Sequence, residues 1–91
     1  MRNSLTINGF NGTLKELAVE ISNLRYDSMA KLLSYILFEL ERQSSHDKII
    51  GRAKLSDIIN KSCLHINQAI GCIQEAWALN EPRIKDIEKR I

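Results

Sequence analysis

The sequence predicts an all-α protein, an antiparallel helical bundle of three main helices with a short C-terminal helix. Two observations carry this prediction. The 91 residues include one proline and four glycines, so few residues interrupt helices or favour a turn-rich β fold. Apolar residues also recur at steps of three and four along most of the chain, which is the spacing of one helix face.

The length predicts a single domain, with residues 1–12 as an N-terminal arm and residues 13–91 as the helical bundle. The arm carries the apolar residues Leu5, Ile7 and Phe10. These side chains indicate that the arm docks on the helices. A short strand is the less expected outcome, because it would have nothing to pair with.

A capping box predicts the start of the first helix, with Thr13 at the cap and Glu16 three residues later. The apolar face that follows consists of Leu14, Leu17, Ala18, Ile21 and Leu24. A second apolar face follows, consisting of Met29, Leu32, Leu33, Ile36, Leu37 and Leu40. It is displaced from the first face by about a quarter turn, which is more than the gradual drift of a seven-residue repeat around one helix produces. We expect a break or kink at residues 25–28, with Asp27 as a new cap; the alternative is one helix with a broad, wrapping face.

The polar residues 43–47 are expected to end the second helix, and Asp47 can cap the third. The third helix is then the longest, over about residues 47–79. Gly51 leaves a second interpretation open, in which it marks a turn and the third helix starts near Ala53 or Ser56.

One apolar stripe, the isoleucine stripe, organises the third helix. It consists of Ile59, Cys63, Ile66, Ile70, Ile73 and Trp77, in two series that repeat every seven residues. Small residues at the same spacing, Ser62, Ala69 and Ala76, allow another helix to approach closely. Two shorter helices cannot cover a long third helix along its whole length. We therefore expect a homodimer, with Ile70, Ile73 and Trp77 as the dimer seam.

Residues 80–82 are expected to end the long helix, because Pro82 cannot continue it and disfavours helix in the residue before it. Ile84, Ile87 and Ile91 then predict a short amphipathic fourth helix or a partly frayed end.

Composition and charge exclude some classes of partner. The net charge of +2, with both signs interleaved, lacks the concentrated basic face of nucleic-acid-binding proteins, so nucleic acid is not an expected partner. The longest apolar stretch, residues 32–38, is far shorter than the roughly 20 residues that span a bilayer, so no membrane partner is expected. Because polar residues follow Arg2, no signal peptide is expected and the predicted compartment is the cytoplasm.

No combination of residues predicts catalysis, a metal or a cofactor. Cys63 and Cys72, the only cysteines, are nine residues apart, so on one helix they point to opposite faces and cannot form a disulfide. Cys63 and His65 also face different ways, and zinc needs three or four converging ligands. Residues 45–47 read Ser-His-Asp, but consecutive side chains diverge, whereas a hydrolase triad converges from remote positions. We expect a non-enzymatic protein.

Residues 55–70 have the superficial pattern of a helix-turn-helix, with Asn67 and Gln68 as candidate base-reading side chains. Cys63 occupies the turn position where glycine is usual, and the seven-residue repeat runs through the supposed turn. One continuous helix is therefore the favoured interpretation. A DNA-binding regulator and a structural dimeric subunit remain the alternative functions.

Five short groups of residues stand out in the helical layout over residues 13–80. They are Leu24-Arg25-Tyr26-Asp27, Met29-Ala30-Lys31-Leu32-Leu33, Gly51-Arg52, Lys54-Leu55 and Ala76-Trp77. In these groups, in size and in helical layout, the chain resembles small all-helical immunity proteins of bacterial contact-dependent or polymorphic toxin systems. The resemblance implies a cytoplasmic protein, often a helical dimer, that neutralises a cognate toxin nuclease by binding it. The implied partner is therefore a toxin domain.

Overall fold

The fold is all-helical, as the sequence predicts. The computed structural model describes residues 3–89, and in that range it contains three α-helices and no strand. The helices are α1 (Leu14–Ser22), α2 (Tyr26–Ile49) and α3 (Ala53–Lys89).

α1 begins where the capping box predicts. The Glu16 backbone N–H donates to the Thr13 hydroxyl oxygen (3.1 Å), and the Thr13 backbone N–H donates to the Glu16 carboxylate (3.1 Å). The bond from the Thr13 backbone N–H, together with one that the Thr13 hydroxyl donates to the same carboxylate (3.0 Å), lowers the pKa of Glu16 because both stabilise its charged form. Leu17 and Ile21 are half-buried, and no α1 residue is fully buried. The start of α1 is therefore fixed by local chemistry more than by packing.

The chain breaks between α1 and α2, as the displaced apolar faces predict. Residues 23–25 lie outside both helices, and Arg25 takes the N-cap position of α2. The prediction of Asp27 as the cap is wrong, since Asp27 lies inside the first turn. There its carboxylate accepts hydrogen bonds from the Ser28 backbone N–H (2.9 Å) and from the Arg25 guanidinium (2.6 and 3.0 Å). Asp27 thus still satisfies one of the N–H groups left open at the helix start.

α2 continues through residues 43–47 and ends at Ile49, so the predicted helix end there and the cap at Asp47 are wrong. The polar stretch stays helical because Ser44, at 2% exposure, packs against α3 and finds hydrogen-bond partners there. The other interpretation is confirmed, with a turn at Gly51 and a third helix from Ala53. Gly51 follows the C-cap residue of α2 and has a φ of +89°, the left-handed conformation that ends many helices.

Changing Gly51→Ala is expected to destabilise the hairpin turn by about 1 kcal/mol, because a Cβ disfavours positive φ. A Cβ at Gly51 meets no other atom within 4 Å, so the loss has a conformational cause and not a steric clash with neighbours. Gly51→Asn is the matched control and should lose less, since asparagine adopts this conformation more readily. Urea unfolding measures both. An equal loss for the two variants would contradict this explanation.

α3 continues past Pro82 to Lys89, so the predicted end of the long helix at residues 80–82 is wrong. The proline lacks the N–H that would bond the carbonyl of Ala78, and both residues are exposed, so water can satisfy that carbonyl. Ile84 and Ile87 belong to α3 itself and not to a separate fourth helix. Ile91, predicted to join them, lies outside the described residues.

Changing Pro82→Ala is expected to stabilise the C-terminal part of α3, by up to about 3 kcal/mol on the helix-propensity scale. The change restores the missing backbone N–H and removes the ring that crowds the preceding turn. Helix content from circular dichroism and the midpoint of thermal unfolding should both rise. Pro82→Gly restores the N–H with a poor helix former, so it should gain less. A loss of helix content in Pro82→Ala would contradict the described path of α3.

α2 and α3 form an antiparallel hairpin, packed against each other across the turn at residues 50–52, whereas α1 makes few contacts with either helix. Among the residues with described side chains, the buried ones are Ala30, Ser44, Ser56, Cys63 and Ile70. All of them belong to α2 or α3. The core is therefore a thin line between two helices.

The molecule is elongated. Its Cα radius of gyration is 16.6 Å and its extents are 56 × 30 × 15 Å. A compact chain of this length has a radius of gyration of about 12 Å. The long dimension follows from α3, whose 37 residues extend about 55 Å, while the 24 residues of α2 extend about 36 Å. A single partner helix in the same chain therefore leaves part of α3 uncovered.

The helices mix apolar and polar residues, and the mean hydropathy of the chain is −0.21. Across residues 3–89, none of them is both long and apolar enough to cross a bilayer.

Candidate functional site

The isoleucine stripe lies on the side of α3 that packs against α2. Cys63 and Ile70 are buried at 6% exposure each. The other four residues are half-buried: Ile59, Ile66, Ile73 and Trp77. Of the predicted dimer seam, Ile70 is thus already covered within one chain, and Ile73 and Trp77 are covered in part. Their contact with a second chain stays a prediction.

Trp77 is in contact with the start of α2. The guanidinium carbon of Arg25 lies 4.9 Å from the centroid of the Trp77 ring, a cation–π geometry worth about 0.5–1 kcal/mol at exposed sites. Arg25 also forms an ion pair with Asp27 at 2.6 Å, and its hydrogen bond lowers the pKa of that carboxyl. These contacts anchor the first turn of α2 against α3 at the open end of the hairpin.

A buried polar cluster joins the two helices near the turn. The Ser44 hydroxyl oxygen lies 2.9 Å from the Ser56 hydroxyl oxygen, 3.0 Å from the Ser56 carbonyl oxygen and 2.7 Å from Oδ1 of Asn60. A hydroxyl carries one proton, so Ser44 donates one of these bonds and can accept the proton of the Ser56 hydroxyl. These hydrogen bonds tie α2 to α3, and the partners are a hydroxyl, a backbone carbonyl and an amide oxygen.

This cluster is the feature that sequence reasoning missed. Ser44 lies four residues after Leu40 and therefore continues the apolar face of α2. A small residue on an apolar helix face allows another helix to approach closely, so Ser44 on this face could have predicted the contact with Ser56.

The candidate chemical groups do not converge. Ser45, His46 and Asp47 are consecutive residues inside α2, so their side chains point in different directions. Among residues 3–87, whose side chains the structure describes, no group of three or more His, Cys, Asp or Glu is arranged to hold a metal ion.

The two thiols differ in accessibility, since Cys63 is buried and Cys72 is exposed. Burial raises the pKa of the Cys63 thiol, and the negative charge of Glu41 adds to this. A thiol reagent at neutral pH is therefore expected to label Cys72 quickly and Cys63 only when the helices separate. Mass spectrometry of Cys72→Ser and Cys63→Ser assigns each phase. Rapid labelling at Cys63 in the folded protein would contradict its packing between the helices.

Residues 55–70 do not form the helix-turn-helix that their pattern suggests. Residues 55–70 lie entirely inside α3, which runs without interruption from Ala53 to Lys89. The expected single helix is confirmed, and the segment therefore lacks the turn that would place Asn67 and Gln68 on a separate recognition helix.

The two sides of the hairpin differ in what lies on them. The first, here called the groove side, has a groove lined by Asp27, Ala30, Lys31 and Ser34 of α2 and by Gln74 and Trp77 of α3. The second, here called the arm side, has a groove lined by Gln43, His46, Asp47, Arg52, Leu55 and Ile59, with Asn3 of the N-terminal arm beside them. Of the arm's apolar residues, Phe10 is half-buried, whereas Leu5 and Ile7 are exposed.

Large apolar side chains are exposed along the whole hairpin. They are Tyr26, Tyr35, Ile36, Phe38, Ile49, Ile50, Leu55, Ile58, Leu64, Leu79 and Ile87. The accessible surface of the chain is 7607 Å². A folded monomer of 10.4 kDa exposes about 5400 Å², so this chain exposes about 2200 Å² more than a compact protein of its size.

These exposed apolar side chains are the candidate functional site, because apolar surface without a partner is typical of association surfaces. No protein-family model matches the chain, and neither a curated protein nor a solved structure matches it.

Proposed function

We propose that this protein is a non-enzymatic protein-binding module. The observation that carries the proposal is the surface excess of about 2200 Å² over a compact monomer of 10.4 kDa. This is total surface, but it includes the large apolar side chains exposed along the hairpin, and burial of apolar surface contributes roughly 25 cal/mol per Å². A binding partner that covers the exposed side chains recovers that stabilisation.

The shape of the chain supports the same proposal. A two-helix hairpin offers two long faces, and an amphipathic helix or another hairpin can pack on either by ordinary ridge-into-groove contacts. The antiparallel bundle expected from the sequence is then completed by association, with helices from the partner occupying the positions that one chain leaves empty.

In its finer form, the proposal is that the protein is a cytoplasmic immunity protein that neutralises a cognate toxin nuclease by direct binding. Its support is the resemblance in size, helical layout and scattered residues to small all-helical immunity proteins. The exposed apolar faces are the surface that such an inhibitor would use for a toxin domain.

The experiment starts from the gene adjacent to the one that encodes this protein. Its product is produced with and without this chain in a sensitive bacterial host, and growth, nuclease activity and direct binding of the purified proteins are measured. The finer proposal expects a toxic nuclease whose toxicity and activity are abolished by this chain, with nanomolar affinity. An adjacent gene unrelated to toxins, together with no protein captured from the native cell, would overturn it.

A further inference from the structure

The two sides of the hairpin differ in polarity, and the arm side is the apolar one. The groove side is lined mainly by polar side chains. On the arm side, steps of seven residues stay close to one face of a helix, and they lead from Asp47 back along α2 and from Ile59 forward along α3. The positions they reach are all apolar and half-buried: Leu40, Leu33, Ile66 and Ile73.

Residues 3–22, here called the strap, span this apolar side. Asn3 lines the arm-side groove near the turn. At the other end, Ser22 and the residues after it line a second groove together with Asn80 of α3. Asn80 lies seven residues after Ile73, so this groove opens on the arm side as well. The two grooves are about 30 Å apart, so the strap extends along most of α2.

The contacts that give the strap its local structure lie within it. The capping box joins Thr13 to Glu16. The ring of Phe10 stands so close to Gly12 that a Cβ at Gly12 would come within 2.9 Å of it. Neither contact involves α2 or α3, so both can persist when the strap separates from the hairpin.

The packing of the strap on the hairpin is slight. Leu17 and Ile21 are half-buried, and no α1 residue is fully buried. A helix of nine residues is marginal on its own in water, so α1 is stabilised by lying against the hairpin. Among the residues with described side chains, the buried ones all belong to α2 or α3. The hairpin therefore keeps its whole buried seam when the strap leaves.

We propose that the strap opens away from the hairpin while α2 and α3 stay packed, and that this opening uncovers the apolar arm side. Segments with few buried apolar contacts are the first to open in a folded protein. The strap is thus an autoinhibitory cover, because any molecule that binds the arm side must first displace it. Opening is a property of the single chain, so this inference goes beyond the proposed function and does not depend on it.

The geometry identifies a residue that the strap screens. α1 extends about 13 Å from the groove at Asn80 towards the turn. Ile73 lies about 10 Å from Asn80 in the same direction and on the same side of α3. Ile73 is therefore beneath α1 in the closed form and is reached by solvent in the open form.

Native-state hydrogen exchange of the full chain tests whether the strap opens alone. We expect the amides in the last turn of α1 to exchange about 100-fold faster, or more, than those of residues 63–70, because they need only local opening. Low concentrations of urea should raise the slower rates far more than the faster ones, since global unfolding exposes more surface. Equal rates with equal urea dependence would show one cooperative unit and overturn the proposal.

Thiol labelling tests whether opening uncovers the arm side. In a Cys72→Ser background, Ile73→Cys places a thiol beneath α1, and Cys63 remains as the buried thiol that reports separation of α2 from α3. Leu17→Lys is expected to open the strap, because it places a charge at a half-buried contact. Labelling at position 73 should then be about 10-fold faster or more, the change expected when half of the burial of a leucine is lost.

Two controls separate opening of the strap from loosening of the hairpin. Val19→Lys changes a residue of α1 that is 54% exposed, so it should leave the labelling at position 73 unchanged. Gln74→Cys places the thiol on the groove side, where Leu17→Lys should have no effect. No acceleration at position 73 with Leu17→Lys, or an equal acceleration at position 74 or at Cys63, would overturn the proposal.

Discussion

Replacing Ile70 with aspartate is expected to unfold the protein. Ile70 is the largest of the three buried hydrophobic residues, with Ala30 and Cys63, and it is 6% exposed. Truncating a buried isoleucine to alanine costs about 2–5 kcal/mol, and a carboxylate at the same place adds the cost of an unpaired charge. A domain of this size is stable by only about 5–10 kcal/mol, so the loss consumes most of it.

Circular dichroism at a fixed chain concentration measures the outcome, because any association of the chain would make its stability depend on concentration. Cys72→Asp is the matched control, since Cys72 lies two residues further along the same helix and is exposed. We expect Cys72→Asp to keep a cooperative thermal transition and Ile70→Asp to lose it. Similar transitions in the two variants would show that Ile70 does not lie in the seam between α2 and α3.

The second large effect is expected at Ser44. Ser44→Ala removes the hydroxyl that joins α2 to Ser56 and Asn60, and it leaves the buried Ser56 hydroxyl without this partner, whereas Asn60 is exposed and can bond water. Loss of such a buried partner costs about 1–3 kcal/mol. Urea unfolding should therefore show a lower midpoint with an unchanged slope.

Ser45→Ala is the natural control for this change. Ser45 is the next residue on α2, has the same chemistry and is exposed, so its substitution should change the free energy of unfolding by less than about 0.5 kcal/mol. Equal effects at the two serines would mean that the hydrogen bonds of Ser44 do not contribute to the pairing of the helices.

The elements that depend on nearby residues could be predicted from the sequence. The capping box at Thr13 and Glu16 involves four consecutive residues, and the break before α2 follows from the displacement between two apolar faces. Both were predicted correctly because neighbours along the chain determine them.

The boundaries that depend on distant residues were not predictable in the same way. Residues 43–47 read as a polar connection because the partners of Ser44 lie 12 and 16 residues further along the chain. Pro82 predicts a helix end, yet Ala78, whose carbonyl lacks the N–H of residue 82, is an exposed residue, so water can bond that carbonyl. In both cases local propensity predicts a helix end, but the surroundings of the residue in the fold allow the helix to continue.

The candidate site shows the same division. Periodicity located the isoleucine stripe, but it could not tell whether the helix facing the stripe belongs to the same chain or to another. Which side chains of the hairpin stay exposed depends on how α2 and α3 are rotated against each other. That rotation is set by the contacts of residues such as Ala30 and Ser56, which look unremarkable in the sequence.

The polar cluster near the turn also distinguishes the observed alignment of α3 against α2 from shifted alternatives. The isoleucine stripe repeats every seven residues, so sliding α3 by seven positions would preserve most of its apolar matches with α2. In the slid alignment Asn67 would take the place of Asn60, so Ser44 would keep an amide partner, but it would face Cys63 in place of Ser56, and a thiol is a weak hydrogen-bond partner. The contact between Ser44 and Ser56 thus favours the observed pairing, much as a polar residue helps to set the alignment of a coiled coil.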